Sequence, residues 1–251
     1  MRRHRFIVEQ PLVAESRVLL SREQGRQVRS VLRLRIGDPL EIADGLGRVA
    51  DARIASVERN EVAVDIESVH EDSARLPIRL TVGLALLRGE RFDLAVQKLT
   101  EIGVSSIIPL AAQHCVVSYA VDREWERRAT RLRRIAIEAT EQSERTTVPL
   151  IEQPASIADI LRNSNDEPLF ALIERSDDEP LPLADVEPFE SATILIGPEG
   201  GWSEAERGLL REHTKSVTLG PFILRSETAA IVAAGTLMQR AWSARTYEEE
   251  G

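Results

Sequence analysis

Apolar and polar residues alternate in short stretches from about Arg5 to Val69: Arg17–Leu20, Pro39–Ala43, Gly47–Ile54 and Glu61–Ile66. An alternation of period two places successive side chains on opposite faces of an extended strand. With Gly and Asn punctuating the stretches, the segment predicts a small β-barrel. Glu23–Leu34 instead has the period of one short basic helix, with Val28, Val31, Leu32 and Leu34 facing inward and the arginines outward. The polar run His70–Pro77 ends all periodicity, which puts a domain boundary after residue 72.

Beyond it, strand and helix alternate. A strand over Ile78–Leu86 leads to a helix over Arg91–Ile102, where Phe92, Ala95, Val96, Leu99 and Ile102 share a face and Gly103 supplies a left-handed C-cap. Next come a strand over Ser105–Ile108 and a helix over Asp122–Gln142 striped by Trp125, Leu132, Ile135, Ala136 and Ala139. A strand over Leu169–Glu174, an acidic Pro-rich connection through residue 190, a strand over Thr193–Ile196, a helix over Ser203–His213, a strand over Ser216–Leu219 and a last helix from about Glu227 to Ser243 complete the chain. The reading is an α/β domain with a mainly parallel sheet over 73–251. The last helix is apolar on most sides, from Ala229 to Met238, which fits burial against a second copy or a fully internal helix.

Composition narrows the class. At 251 residues and 43% hydrophobic content, the chain can bury one sizeable core or two modest ones. Phe6-Ile7-Val8 is followed at once by Glu9-Gln10-Pro11, too short an apolar run for a signal peptide, and no run approaches the roughly 20 residues of a membrane helix. Cys115 is the single cysteine, and His4, His70, His114 and His213 are scattered, so no metal-ligand spacing is present. A cytoplasmic protein without metal or membrane attachment is expected. The net charge of −9 argues against a polyanionic partner, yet residues 1–36 hold nine arginines against three glutamates, or +6, leaving −15 for the rest. Such asymmetry suits either an RNA-docking module on an acidic domain or a solvated charged face.

Two loops carry candidate chemistry. The strand ending at Ile196 runs into Gly197-Pro198-Glu199-Gly200-Gly201-Trp202, after which Ser203 and Glu206 form a capping-box pattern; the strand ending at Leu219 runs into Gly220-Pro221-Phe222-Ile223-Leu224-Arg225, with Ser226 placed to cap the next helix. In a parallel sheet, ligands gather where strand ends meet helix N-termini. Neither loop matches a dinucleotide or P-loop pattern, and one such loop alone is more often plain strand-to-helix punctuation than a binding loop. The pair, however, resembles the two motifs of the 16S rRNA (uracil-N3) methyltransferases of the SPOUT superfamily. So do Arg88-Gly89-Glu90-Arg91, Gln97–Val104, Glu138–Arg145 and Val31–Asp38, and the likeness therefore covers nearly the whole chain. Gln27 and Arg88 depart from it, standing where histidine and lysine are common.

The resemblance implies a PUA-like β-barrel over 1–72 that binds RNA, and a SPOUT domain over 73–251 holding S-adenosyl-L-methionine in a deep trefoil knot, two copies pairing as a homodimer. It implies methylation of uridine N3 in 16S rRNA, at uridine 1498, in free rRNA or in the small ribosomal subunit. Cofactor contacts are expected from Gly197, Pro198, Glu199, Gly200, Gly201, Gly220, Ser226, Thr228 and Ala229, with Leu172, Leu195, Ile196, Leu219 and Leu224 as an apolar wall. A side chain at Gly200 should fill the cofactor's space. Arg225 is expected to orient the base and stabilise charge on its carbonyl oxygens, although a helix-start arginine paired with Glu227 is the plain alternative. Glu227, Glu101 or solvent takes the N3 proton. Arg2, Arg3, Arg5, Arg29, Arg33, Arg35, Arg88 and Arg91 are the candidate phosphate contacts. The rivals are a SPOUT enzyme acting on another RNA nucleotide and a non-catalytic RNA-binding assembly factor.

Overall fold

The computed structural model describes residues 4–59, 61–72, 78–115, 122–164, 167–173 and 180–249, without the side chains of 122–123 and 245–249. The chain forms two compact units, residues 1–75 with 140–148, and residues 76–139 with 149–251.

The first unit contains β1 (Arg5–Ile7), β2 (Arg17–Leu19), α1 (Arg22–Arg26) continued by a π-helical turn Gln27–Leu32, β3 (Pro39–Ala43), β4 (Arg48–Val57) and β5 (Val62–Glu71). Its sheet runs β1-β3-β4-β5-β2, antiparallel except for β1 beside β3. Irregularities in the β4–β5 register at Asp51/Ala52 and Ile54/Ser56 bend the long hairpin around its core, as bulges do. Phe6, Leu12, Leu40, Ile42, Ile54, Val64 and Val28 fill that core, each side chain contributing about 1.5–3 kcal/mol.

The helix Glu23–Leu34 differs from expectation. After one α-turn, capped by Ser21 with a reciprocal bond from Gln24, the chain widens into i→i+5 bonding and stops at left-handed Arg33, φ 54°. The wider turn carries Val31 off the face of Val28: Val28 is fully buried and Val31 is 70% exposed.

Residues 140–148 close this unit. The Glu141 carboxylate accepts from the Ile7 backbone N–H (2.9 Å) and from Gln24 Nε2 (2.8 Å), which also donates to the Ile7 carbonyl (2.7 Å). Val148 N–H donates to Gly45 O at 2.9 Å. The sequence Glu138–Arg145 thus starts on a helix of one unit and ends inside the other.

The second unit contains β6 (Arg79–Ala85), α2 (Arg91–Ile102), β7 (Ser106–Leu110), α3 (Asp122–Gln142, whose last turn enters residues 140–142), β8 (Leu150–Ile151), α4 (Ile157–Asn163), β9 (Leu169–Leu172), β10 (Leu181–Pro182), a 3-10 turn Leu183–Asp185, β11 (Ser191–Ile196), α5 (Glu204–His213), β12 (Lys215–Thr218) and α6 (Ser226–Glu249). Its seven strands are all parallel, in the order β10-β12-β9-β11-β6-β7-β8. Helices cover such a sheet on both faces, which is why β6, β9 and β11 read as apolar runs. Leu195 of β11 packs with Ile157, Ile160 and Leu210 of α4 and α5. Elsewhere α6 packs on β6 and on α2, where the buried Asp93 carboxylate sits in ionic contact with Arg128 (2.5 Å) and Arg131 (2.6 Å) of α3, without aligned hydrogen bonds. Gly103 is the left-handed cap of α2, φ 115°. Among the described residues no helix is long and apolar enough to cross a membrane.

The chain enters the sheet at β6, moves outward through β7 and β8, and returns to lay β9 and β11 on the other side of β6. The connection through α5 then passes β9 to reach β12. Strands β12, β9 and β11 are parallel neighbours, so their carboxyl ends lie side by side. The order reverses beside them, between β11, which connects towards β12, and β6, which connects towards β7, the condition that opens a crevice at strand carboxyl ends.

Candidate cofactor and RNA site

Three strand ends build one cavity. Leu172 and Ile173 lie at the end of β9, Ile196, Gly197 and Pro198 at the end of β11, and Thr218 to Leu224 at and beyond the end of β12; Gly201, Trp202, Arg207, Ser226 and Ala229 complete the wall. The space measures about 740 Å³ including its open mouth.

Specific bonds hold the loops together. Ser226 Oγ donates to the Gly197 carbonyl at 2.7 Å, tying the start of α6 to the loop after β11. Ser226 is the first residue of α6 and spends its hydroxyl across the two loops, instead of capping the helix as the sequence suggested; the first helical bond runs from Ala229 N–H to Arg225 O. Trp202, 6% exposed, lies beneath Gly197, and its Nε1 donates to Leu172 O at 3.1 Å, tying the same loop to the end of β9. A Cβ on Gly197 would stand 2.8 Å from the Trp202 ring, so only glycine lets the ring and loop meet there. The turn closes with Gly201 N–H on Pro198 O at 2.8 Å, Gly201 having φ +71°, and Gly220 has φ +127° in the second loop. Ser203 caps α5 with the reciprocal Glu206 bond, as its pattern predicts, and this directs the first turn back at the cavity so that Arg207 reaches its wall. Among the described residues, Arg207 is the one ionisable side chain on that wall, and its Nε donates to Trp202 O at 3.1 Å.

Ten expected contacts line this cavity: Leu172, Ile196, Gly197, Pro198, Gly201, Leu219, Gly220, Leu224, Ser226 and Ala229. Four do not. Leu195, next to Ile196 along an extended strand, points the other way into the core under α4 and α5. Glu199 turns outward to an ion pair with Arg91, and Thr228 is exposed on α6. Gly200 O and Gly201 O face His114 Nδ1 at 3.3 and 3.1 Å, and a Cβ on Gly200 would meet His114 Cβ at 3.0 Å. A side chain at Gly200 would therefore press on His114 and not fill the cavity.

Arg225 immediately precedes α6; it is exposed and in no ion pair, so the pairing with Glu227 is absent. Glu227 is 7% exposed, and its Oε2 has no hydrogen-bond partner. Glu101 is elsewhere. It lies in the last turn of α2, where the chain rejoins the sheet near the start of β6 through Ser105 N–H on Leu80 O, so it stands at the end of the sheet opposite the cavity, ion-paired with Lys98 at 2.9 Å. The sequence reading missed Ile173, Trp202, Arg207 and Thr218 on the wall and His114 behind the loop, and it expected only the backbone of Pro221, Phe222 and Ile223 there. The motifs themselves contained Trp202, Pro221, Phe222 and Ile223, and Arg207 was legible as the residue one turn into a capped helix that starts at the loop.

Of the basic candidates, Arg2 and Arg3 lie outside the described residues. Arg5 is used internally, by Glu41 (2.8 and 3.0 Å) and by the Glu144 carbonyl. Arg29 donates to Glu58 O at 3.1 Å, and Arg91 holds Glu199. Arg33, Arg35 and Arg88 are exposed.

Comparison with known proteins agrees with this geometry. The RNA methyltransferase domain family matches residues 74–238, and the RNA methyltransferase PUA domain matches residues 22–67. The chain is 33% identical over 240 residues to the ribosomal RNA small subunit methyltransferase E of Rickettsia conorii, covering 93% of this chain and 94% of that protein. With the Bacillus subtilis protein of the same name it shares 30% over 220 residues, 84% and 85% of the two chains. Among solved structures, a Legionella pneumophila protein in complex with the cofactor SAM superposes with a TM-score of 0.86 at 30% identity, covering 96% of this chain and 98% of that one. The ribosomal RNA small subunit methyltransferase E of Neisseria gonorrhoeae, bound to S-adenosyl methionine, gives 0.83 at 28% identity over 95% and 98%. A PUA-type domain, a parallel-sheet domain with its cavity at three adjacent strand ends, and these likenesses over nearly the full length place the chain in the RNA methyltransferase family, among the ribosomal RNA small subunit methyltransferases E.

Proposed function

We propose that this protein transfers the S-methyl group of S-adenosylmethionine to N3 of a uridine in small-subunit 16S rRNA, uridine 1498 being the position its sequence motifs suggest. The observation that carries the reading is the bonded pair of loops: Ser226 Oγ on Gly197 O joins the two motifs into one cavity at the ends of β9, β11 and β12. The residues fit the cofactor. Leu172, Ile173, Ile196, Leu219 and Leu224 offer an apolar slot for an adenine, glycine backbone comes close enough for ribose and amino-acid groups, and Arg207 offers a cation for the carboxylate. When bound, S-adenosylmethionine supplies a methyl group activated by its sulfonium.

The chain's own residues then align and deprotonate the acceptor. Arg225, exposed at the start of α6, orients the uracil and balances negative charge growing on its carbonyl oxygens as the N3–H bond weakens. The N3 proton passes to Glu227, whose Oε2 is buried without a hydrogen-bond partner and which follows the cavity-wall residue Ser226, or to solvent. Glu101 has no part in this. Residues 1–72 hold the RNA and 73–251 carry the chemistry, threaded as a trefoil knot and paired with a second copy through α6, on which Val232 is exposed. The enzyme works in the cytoplasm, where small subunits are assembled.

Mass-spectrometric mapping of rRNA from a deletion strain, before and after the gene is restored, tests this. One methyl returning to uracil N3 is the expected result. A methyl on another nucleotide means a different target, and RNA binding without any methylation means an assembly factor.

A further inference from the structure

Phe222 and Ile223 form the tip of the loop after β12, and both line the cavity while being 84% and 60% exposed. No large apolar side chain described in the second unit is more exposed than Phe222. Burying such a ring in a core is favourable, so a phenylalanine held open at the edge of a ligand cavity marks a surface awaiting an apolar partner. Gly220 at φ +127° and the fixed φ of Pro221 set the path of this tip, and Arg225 follows three residues later.

We infer that Phe222 is a stacking platform whose ring takes one face of a nucleobase of the RNA substrate at the mouth of the cavity. The inference rests on the methyl-transfer reading above, since the base must enter by this mouth to reach the donor. A base drawn out of its own stack loses the contacts on its faces, and an aromatic ring replaces them with little regard to which base it is. The division of labour is then chemical: Phe222 holds a flat apolar face, Arg225 addresses polar edges, and Ile223 widens the apolar rim. The other possible covers, the bound cofactor or a second copy of the chain, leave different traces.

Phe222→Ala, Phe222→Leu and Phe222→Tyr separate them, with three measurements on the full chain: calorimetric affinity for S-adenosylmethionine, affinity and KM for deproteinised small-subunit rRNA, and mass in solution. Phe222→Ala and Phe222→Leu should weaken RNA binding and raise its KM by at least about fivefold, the low end of losing one base–aromatic stack. Phe222→Tyr should stay within about twofold of wild type. Cofactor affinity should change by clearly less than RNA affinity in every variant, and mass should not change. Leucine performing as well as tyrosine, cofactor affinity falling in parallel, or a change in mass would each overturn the assignment. Wild-type protein that methylates no rRNA would sink the parent reading and this one with it, whereas wild-type methylation with undiminished RNA affinity in Phe222→Ala would sink this one alone.

Discussion

Gly197 has no room for a methyl group, because the Trp202 ring lies where its Cβ would go, at 2.8 Å. Gly197→Ala should push the indole off Leu172 O, cost about 1–3 kcal/mol, and reduce S-adenosylmethionine affinity by about tenfold or more. Thermal unfolding and calorimetry read the two effects, and an alanine variant with unchanged melting and binding contradicts the packing described. Arg225→Ala tests the chemistry instead. Cofactor affinity should remain within severalfold while turnover falls by about 10²-fold, the scale of one lost charge stabiliser. Turnover unchanged in rapid-mixing assays would remove Arg225 from the mechanism. At this scale the sequence was a good guide where a motif named a backbone path, as at Gly197 and Gly220. It was a poor one where side-chain direction decides: Leu195 and Ile196 are neighbours in sequence with opposite destinations, and Glu101 was chosen for its chemistry without the topology that sends it to the far end of the sheet.

Elements with strong periodicity were legible almost to the residue. The ranges of β3, α2 and α3 follow from alternation, a helical stripe and a glycine cap, because in each the burial pattern repeats several times. Short or irregular elements were not. The π-turn at Gln27–Leu32 has no period of its own, β8 and β10 are two residues each, and α4 spans under two full turns. Between elements, Asp93 on α2 is the charge that keeps Arg128, 17% exposed, and Arg131, 59% exposed, against it. Asp93→Ala leaves the more buried arginine without its counter-charge and should destabilise the protein by about 3 kcal/mol, toward the low end for a buried pair because Arg131 is solvated. Urea unfolding checks this, and a loss below about 0.5 kcal/mol would mean the triad is only a surface contact.

For the whole molecule, strand order and the return of residues 140–148 to the first unit had no signature in the sequence, since both are set by contacts between distant segments. The charge asymmetry was visible, but the structure redistributes it. Arg5 and Arg91 are engaged within the protein, which leaves Arg33, Arg35 and Arg88 as exposed candidates for phosphate. RNA affinity should fall with salt, and neutralising any one of these three should flatten the log–log slope by about one unit; a slope unchanged from wild type in all three variants would exclude them as phosphate contacts. The account as a whole depends on the cavity at the ends of β9, β11 and β12 being where the methyl donor sits. Calorimetric titration of S-adenosylmethionine into wild-type protein and into Leu224→Trp, whose side chain would occupy that cavity, tests this most directly. The account predicts one site per wild-type chain and no detectable binding to a variant that still melts cooperatively; equal binding to both proteins, or none to the wild type, would contradict it.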